Sequence, residues 1–176
     1  MEGNYCYRYP HPAVTTDCVV FGYDGLRLNV LLIERGGEPY KGCWAFPGGF
    51  LNIDEDAPDG ARRELLEETG LQVENIEQLG AFATPDRDPR ERVISIAYFT
   101  LTRVQDVTGG DDARVARWFP INELPELAFD HRQMFEQALQ RLSDCLKLKT
   151  GNFYSGGDFS YEEIDMIYYF ATLSQR

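Results

Sequence analysis

Apolar and polar positions along the chain alternate between strand-like and helix-like periods. Residues 13–23, AVTTDCVVFGY, are rich in β-branched and aromatic side chains, as in a buried strand. Asp24-Gly25 is a hairpin signal, and residues 27–34, RLNVLLIE, return as a second strand. Residues 35–39 read as a loop. Residues 43–51, CWAFPGGFL, read as a short strand broken by Pro47-Gly48-Gly49, a break that brings backbone carbonyls to the start of the next element. That element is a helix from about Asp56 to Gly70. Asp56 can cap it, Pro58 falls in the first turn where a missing N–H is harmless, and Gly70 sits where a helix commonly ends. Residues 72–83 and 93–103 read as strands around the loop TPDRDPRER. A polar, Gly-rich loop at 106–112 leads to a strand at 114–119 and a short turn of helix at 121–124. Residues 129–146 carry Phe129, Met134, Phe135, Ala138, Leu139 and Leu142 at the period of a packing helix. A linker or exposed loop at 147–159 precedes a last helix at 160–174, with Ser160 as N-cap and Glu163 completing a capping box. The aromatics of that helix can pack on the domain or on a second subunit, which would make a homodimer. Strands around two helices predict an α/β/α sandwich over a mixed sheet. Residues 1–146 form the domain, with 1–12 as an N-terminal arm, and 147–176 form a C-terminal linker and helix.

The helix at 56–70 has an unusual face. Glu64, Glu67 and Glu68 stand at i, i+3 and i+4 and project together, while Leu65 and Leu66 point the other way and are expected to bury. Like charges at this spacing weaken an isolated helix by about 0.2–0.5 kcal/mol per pair. A plain solvated acidic face is one reading. A bound divalent cation is the other, because hard carboxylate oxygens are the ligands Mg2+ and Mn2+ prefer. Asn52, Asp54 and Asp56 alternate as in an EF-hand loop, but Ala57 stands where that loop needs Gly.

Composition changes the picture in three ways. With 43% hydrophobic and 26% charged residues, the 176-residue chain is an ordinary soluble globular domain. A net charge of −12 argues against a general nucleic-acid partner, which would need a basic stripe. It leaves room for a small anion if a metal and a few arginines cancel the charge locally. Cys6, Cys18, Cys43 and Cys145 are scattered, with no CxxC, and read as reduced thiols of a cytosolic protein. The N-terminus does not read as a signal peptide and no apolar run reaches the length of a membrane span, so a cytoplasmic protein without a membrane partner is expected.

Between Gly49 and Leu71 the spacing becomes a pattern: Gly49, five residues, Glu55, seven residues, Arg63-Glu64-Leu65, one residue, Glu67-Glu68, one residue, Gly70-Leu71. This is a complete match to the Nudix box, and the chain resembles the Nudix hydrolases, which cleave nucleoside diphosphates linked to another group. The flanking segments YPHPAVTTDCVVF, LLIERGGEPYKGCWAFPGGFL, TPDRDPRERVISIAYFTL and ARWFPINELPELAFDHR extend the likeness over about residues 9–142. They are similar to the bacterial ADP-ribose pyrophosphatase-like branch. The resemblance implies a Nudix-type α/β/α sandwich around a mixed β-sheet, here with an extra C-terminal helix. It implies Mg2+ as cofactor, with Mn2+ able to substitute, and hydrolysis of ADP-ribose to AMP and ribose 5-phosphate. A nucleotide-sugar, a dinucleotide or an oxidised nucleoside triphosphate are the alternative substrates, and a non-catalytic ADP-ribose sensor is the alternative role. Some members of the branch carry a C-terminal winged-helix DNA-binding domain and act as ADP-ribose-responsive repressors. This chain ends too early for a full one, which favours the enzyme.

The resemblance further implies Glu64 and Glu68 as metal ligands, Glu67 as a third or bridging ligand, and the carbonyl of Gly48 as a further one. Arg63 can pair with Glu67 at i, i+4 or with Glu55, and so orient a carboxylate. Asp111 and Asp112, on a loop past the box, are candidates for the general base, with Glu64 as the alternative and a plain Gly-Asp turn as the bland reading. Arg35, Arg87, Arg90 and Arg92 are candidate phosphate contacts, three of them clustered in one Pro-interrupted loop. Phe46, with Trp44, Phe82 and Tyr98, could stack a base, although aromatics in strands are usually core. His131 reads as structural, since nothing near it in sequence supplies a triad partner.

Overall fold

β1 (Ala13–Tyr23) is the spine of the molecule, and its strand runs over the residues its composition predicts. The computed structural model describes residues 6–110, 113–148, 150 and 159–174. Along one edge, β1 pairs in parallel with β6 (Val93–Arg103) over its whole length, from Ala13 against Val93 to Tyr23 against Arg103. Its other edge is divided. Thr15 to Asp17 pair with β4 (Gly48–Phe50), and Phe21 to Tyr23 pair with β2 (Leu28–Arg35). β3 (Trp44–Ala45) and β7 (Ala113–Pro120) flank β2, and β5 (Glu77–Phe82) closes the far side of β6. The result is a mixed seven-stranded sheet. The four-residue connection from β1 to β2 is held by Asp24, whose Oδ1 accepts the N–H groups of Leu26 and Arg27, each at 2.8 Å.

Alternation along β1 separates two cores. Cys18 and Val20 face α1 (Ala57–Thr69), where Ala61 and Leu65, with Leu71 just past the helix, bury against Leu31 and Ile33. Val19, Phe21 and Tyr23 face α2 (His131–Leu148) and α3 (Tyr161–Leu173), packing with Met134, Phe135, Leu142, Ile167 and Ala171. A strand covered on both sides must be apolar at almost every position, which is why β1 reads as a continuous run. The architecture is the expected α/β/α sandwich with an added helix. No helix among the described residues is long and apolar enough to cross a membrane.

Several local expectations are corrected. Leu65 is buried, but Leu66 is 47% exposed, because it lies about 100° further round the helix at 3.6 residues per turn. Asp56 is the N-cap by backbone, and its side chain makes no capping bond; Pro58 and the Gly70 C-cap at φ +70° are as expected. The strand expected over 72–83 begins only at Glu77. The carbonyls just before it are taken by side chains: Arg62 donates to Glu74 O and Thr100 Oγ1 to Asn75 O. Residues 121–124 make a turn closed by Glu123 N–H on Pro120 O rather than a helix. Pro120 and Pro125 bracket the segment and neither carries an N–H. Phe129 sits at φ +51°, so α2 starts two residues later than expected, and it runs on to Leu148 into the expected linker.

α3 docks on the domain through Ile167 and Ala171, while Tyr161, Met166 and Tyr169 remain exposed. Its N-terminus carries the full capping box: Glu163 N–H donates to Ser160 Oγ, and Ser160 N–H donates to Glu163 Oε2 at 2.8 Å. Arg103 of β6 also grips Glu163, at 2.5 and 2.7 Å. That guanidinium lowers the Glu163 pKa to about 2, so the contribution is present above the ordinary carboxylate value of 4.5 and is lost as pH falls toward 2. Ser160→Ala is expected to cost about 1 kcal/mol in urea unfolding at neutral pH. The Arg103–Glu163 contribution should fade only between pH 4.5 and 2, read as a pH-dependent midpoint that Glu163→Gln abolishes.

Candidate functional site

The acidic face of α1 is organised by one arginine. Arg63 Nε and Nη2 donate to the two oxygens of Glu55 at 2.8 and 2.9 Å. Its Nη1 reaches Glu64 at 2.8 Å and Glu67 at 3.0 Å, and Nη2 also donates to Phe50 O. Both partners expected for Arg63 are therefore engaged together. The Glu55 carboxylate holds the guanidinium charge most strongly, and Glu55 in return sits below its ordinary pKa. Glu64 behaves oppositely. Half-burial raises its pKa, and Arg63 only partly offsets this. The side chain lies directly over Gly49, where an added Cβ would stand 2.5 Å from the carboxylate carbon. The box glycine is thus a matter of space for a carboxylate. Glu68 is the buried member of the set, and its Oε2 accepts Gly48 N–H at 2.9 Å. Pro47 O and Leu51 N are bonded to β1, so the Gly48 peptide groups, two-residue alternation being what it is, face away from β1.

The far end of α1 is closed by the loop after β6. Thr108 N–H donates to Thr69 O and Gly110 N–H to Glu68 O. Asp111 and Asp112, the candidate bases, lie outside the described residues. Among the described residues, no three His, Cys or carboxylate side chains stand in the arrangement that would hold a metal ion. Arg63 draws Glu64 and Glu67 onto itself, and Glu67 is the more exposed of the two.

Beyond Gly48 the site opens into a cleft lined by Arg35, Arg87, Arg90, Asp17, Phe46 and Glu68, among others. Arg35, at the end of β2, is fixed by Nε on Pro39 O at 2.9 Å and by stacking over Phe129 at 4.8 Å. Burial, and Arg90 across the cleft, lower its pKa. Arg87 is 5% exposed in its side chain and makes a two-pronged pair with Asp130, at 2.9 and 2.6 Å. Arg90 is held by Asp88 at 2.7 Å, and this holds Asp88 below its ordinary pKa. Three of the four candidate arginines therefore line one cleft. Arg92 does not: its guanidinium donates to Ala83 O and Thr84 O and staples its own loop. Phe46 is buried at the floor and stacks on His131 with centroids 5.2 Å apart, so it offers no open face to a base. Phe82 and Tyr98 are core, as strand aromatics usually are. The cysteines are free, and burial pushes the Cys18 thiol up to about 12.

Sequence reasoning missed Asp17, Asp88, Asp130 and Phe129, and set His131 aside as structural. Asp17 carried a signal: it is the one charge inside an otherwise uncharged strand. The others come from turns, where a charge has no periodicity to violate.

An acidic helix gripped by one arginine, with a glycine making room for a glutamate, adjoins an arginine-lined cleft. The NUDIX domain family matches residues 11–138, and the chain belongs to it as a Nudix hydrolase. It is 40% identical over 146 residues to the ADP-ribose pyrophosphatase of Methanocaldococcus jannaschii, covering 82% of this chain and 80% of that one. It is 33% identical over 141 residues to the ADPR responsive transcriptional repressor NtrR of Acinetobacter baylyi, covering 77% of this chain and 56% of that one. It is also similar to the NUDIX domain of Shewanella oneidensis NrtR in complex with ADP ribose. There the TM-score is 0.74 and the identity 33%, covering 79% of this chain and 94% of that one.

Proposed function

We propose that this protein hydrolyses the diphosphate bond of ADP-ribose, giving AMP and ribose 5-phosphate with Mg2+ as cofactor. The observation that carries the proposal is the cleft itself, where three arginines stand beside the Glu68 and Gly48 end of the acidic helix. The name of the Methanocaldococcus jannaschii relative and the ADP ribose complex of the Shewanella oneidensis domain support the choice of substrate.

The donors fit a hard divalent cation. Glu64 and Glu67, released from Arg63, with buried Glu68 and the Gly48 carbonyl would hold it, with Mn2+ able to substitute. A bound Mg2+ supplies charge neutralisation of the diphosphate and an acidified water. The protein's own residues do the rest. Arg35 and Arg90, both lining the cleft, bind phosphate oxygens; Arg87, already paired, sets the positive field of the wall. Arg63 holds the glutamates in register from the solvent side. Water oxygen adds to one phosphorus, the bridging oxygen leaves on the other phosphate, and the water proton passes to a carboxylate. Asp111 or Asp112 takes that proton, with Glu64 as the alternative; Gly110, just before them, is tied to the end of α1.

Incubated with Mg2+, the purified protein should release AMP and ribose 5-phosphate from ADP-ribose, read by product mass, and a chelator should stop it. Release of no phosphate monoester from ADP-ribose, nucleotide-sugars, dinucleotides or an oxidised nucleoside triphosphate would sink the proposal. The repressor relative favours one second reading, a non-catalytic ADP-ribose sensor, which predicts binding of ADP-ribose without product. A cytoplasmic setting and a homodimer through the outer face of α3 belong to the proposal. A nucleic-acid partner does not, on the net charge of −12.

A further inference from the structure

The floor of the cleft holds a carboxylate that diphosphate hydrolysis leaves unused. Asp17 stands in β1 and is only 7% exposed. Its Oδ2 accepts from Ser95 Oγ of the neighbouring β6. Its Oδ1 faces His131 Nε2 at 3.6 Å, beyond hydrogen-bond range. His131 is fixed in that pose because its Nδ1 accepts Phe46 N–H at 3.0 Å, which leaves the proton on Nε2. Arg87, on the same wall, is committed to Asp130. Among the described residues, then, Oδ1 has no donor at bonding distance. Two residues back on the same face of β1, Thr15 is also buried, and its Oγ1 has no partner. The buried Thr15 hydroxyl without a partner carries an uncompensated loss of hydration, and Asp17 Oδ1 is an acceptor left open toward the cleft beside it. Both line the cleft.

Gly48 ties this pair to the acidic helix. Its N–H donates to Glu68 at 2.9 Å, and a Cβ at its Cα would stand 2.7 Å from Asp17 Oδ1. The Asp17 carboxylate is thus one residue's width from Glu68. What fills that space must bring hydrogen-bond donors, carry no negative charge of its own, and lie directly next to the diphosphate. Phosphate fails the second condition, and the nucleobase of a nucleoside diphosphate fails the third, because a pentose separates it from the phosphates. Phe46 and Val93, on the same floor, offer apolar surface for ring carbons.

Resting on the diphosphate reading above, we propose that Asp17, with Thr15 beside it, binds hydroxyl groups of a pentose attached to the diphosphate and so makes the site selective for hydroxylated sugars. A sugar hydroxyl donates to Asp17 Oδ1, and its vicinal neighbour exchanges a bond with Thr15 Oγ1.

The test compares ADP-ribose with two analogues, one lacking the terminal ribose 2- and 3-hydroxyls and one lacking those of the adenosine ribose. Wild-type protein should disfavour one analogue by about 10–100-fold in kcat/KM, with the loss in KM, since a site built around a hydroxyl leaves its own polar groups unpaired when the hydroxyl is absent. Asp17→Asn keeps the shape and removes the charge; it should raise KM for ADP-ribose, hold kcat within about threefold, and erase the preference between sugars. Equal treatment of all three compounds by the wild type, or an equal loss on all three in Asp17→Asn, overturns the assignment. If Asp17→Asn does not fold, as judged by thermal melting, the wild-type comparison decides alone. If the wild type hydrolyses none of them, the diphosphate reading falls separately. Calorimetric titration of the same three compounds then decides: weaker binding of one deoxy analogue upholds Asp17, and equal or absent binding overturns it.

Discussion

Glu68→Gln is expected to lower kcat on ADP-ribose by roughly two to three orders of magnitude, the scale on which one charged stabiliser of phosphoryl or acyl transfer acts. Glu68 is the most enclosed carboxylate of the α1 face, and it sits where the helix meets the cleft. Gln keeps an acceptor for Gly48 N–H, now at 2.9 Å, so the local backbone has no reason to move. Gln is isosteric with Glu, so the packing at this position is kept. The urea midpoint of the metal-free variant should therefore stay close to the wild type. The stabilisation expected from Mg2+ in the wild type, about 2.7 kcal/mol at a hundredfold excess over Kd and read as a rise in melting temperature, should shrink or vanish. Near-normal turnover in Glu68→Gln would remove Glu68 from the metal site.

Gly49→Ala is expected to lower kcat by about a hundredfold while changing stability by less than about 1 kcal/mol. An added Cβ would stand 2.5 Å from Cδ and Oε1 of Glu64, and 2.7 Å from Oε2. The obstructed atoms are the end of a flexible side chain, so the carboxylate swings aside and the fold survives. A displacement of about 1 Å at a catalytic group is enough for a hundredfold loss. The Gly49 backbone sits in the β4 ladder opposite Thr16, a conformation Ala adopts readily. Gly48→Ala makes the contrast, because its Cβ would drive into the backbone carbonyl of Thr16, which cannot swing aside. That variant should lose stability along with activity. Activity and urea unfolding measured together on the two variants separate the effects, and a stable, fully active Gly49→Ala would show that the position of Glu64 is not critical.

The strands β1 and β6 and the helices α1 and α2 were legible because each buries a surface of fixed period. A strand covered on two faces has to be apolar at most positions, and a helix on a sheet has to show one apolar stripe. The same rule failed where no surface is buried. Residues 72–76 looked like strand, yet Arg62 and Thr100 take the carbonyls that a ladder would need. Leu66 looked like core because pairing it with Leu65 ignored the 100° between neighbouring helical residues. In the candidate site, the glutamates of α1 and Arg63 were readable because their spacing along one helix is their geometry in space. The arginines were readable only as a cluster. Arg87, Arg90 and Arg92 lie within six residues of each other in sequence, but Arg87 and Arg90 face the cleft while Arg92 ties down its own loop.

The sequence by itself determined the layered α/β architecture, the acidic helix and its family, since these depend on local period and fixed spacing. Only the tertiary structure decided which residues share the cleft. Asp17 in β1, Ser95 in β6, Phe46 beyond β3 and His131 at the start of α2 meet because a parallel pairing and a helix start bring distant segments together. Contacts between segments so far apart in the chain leave no period in the sequence, and a buried polar group shows what it lacks only when its neighbours are in place.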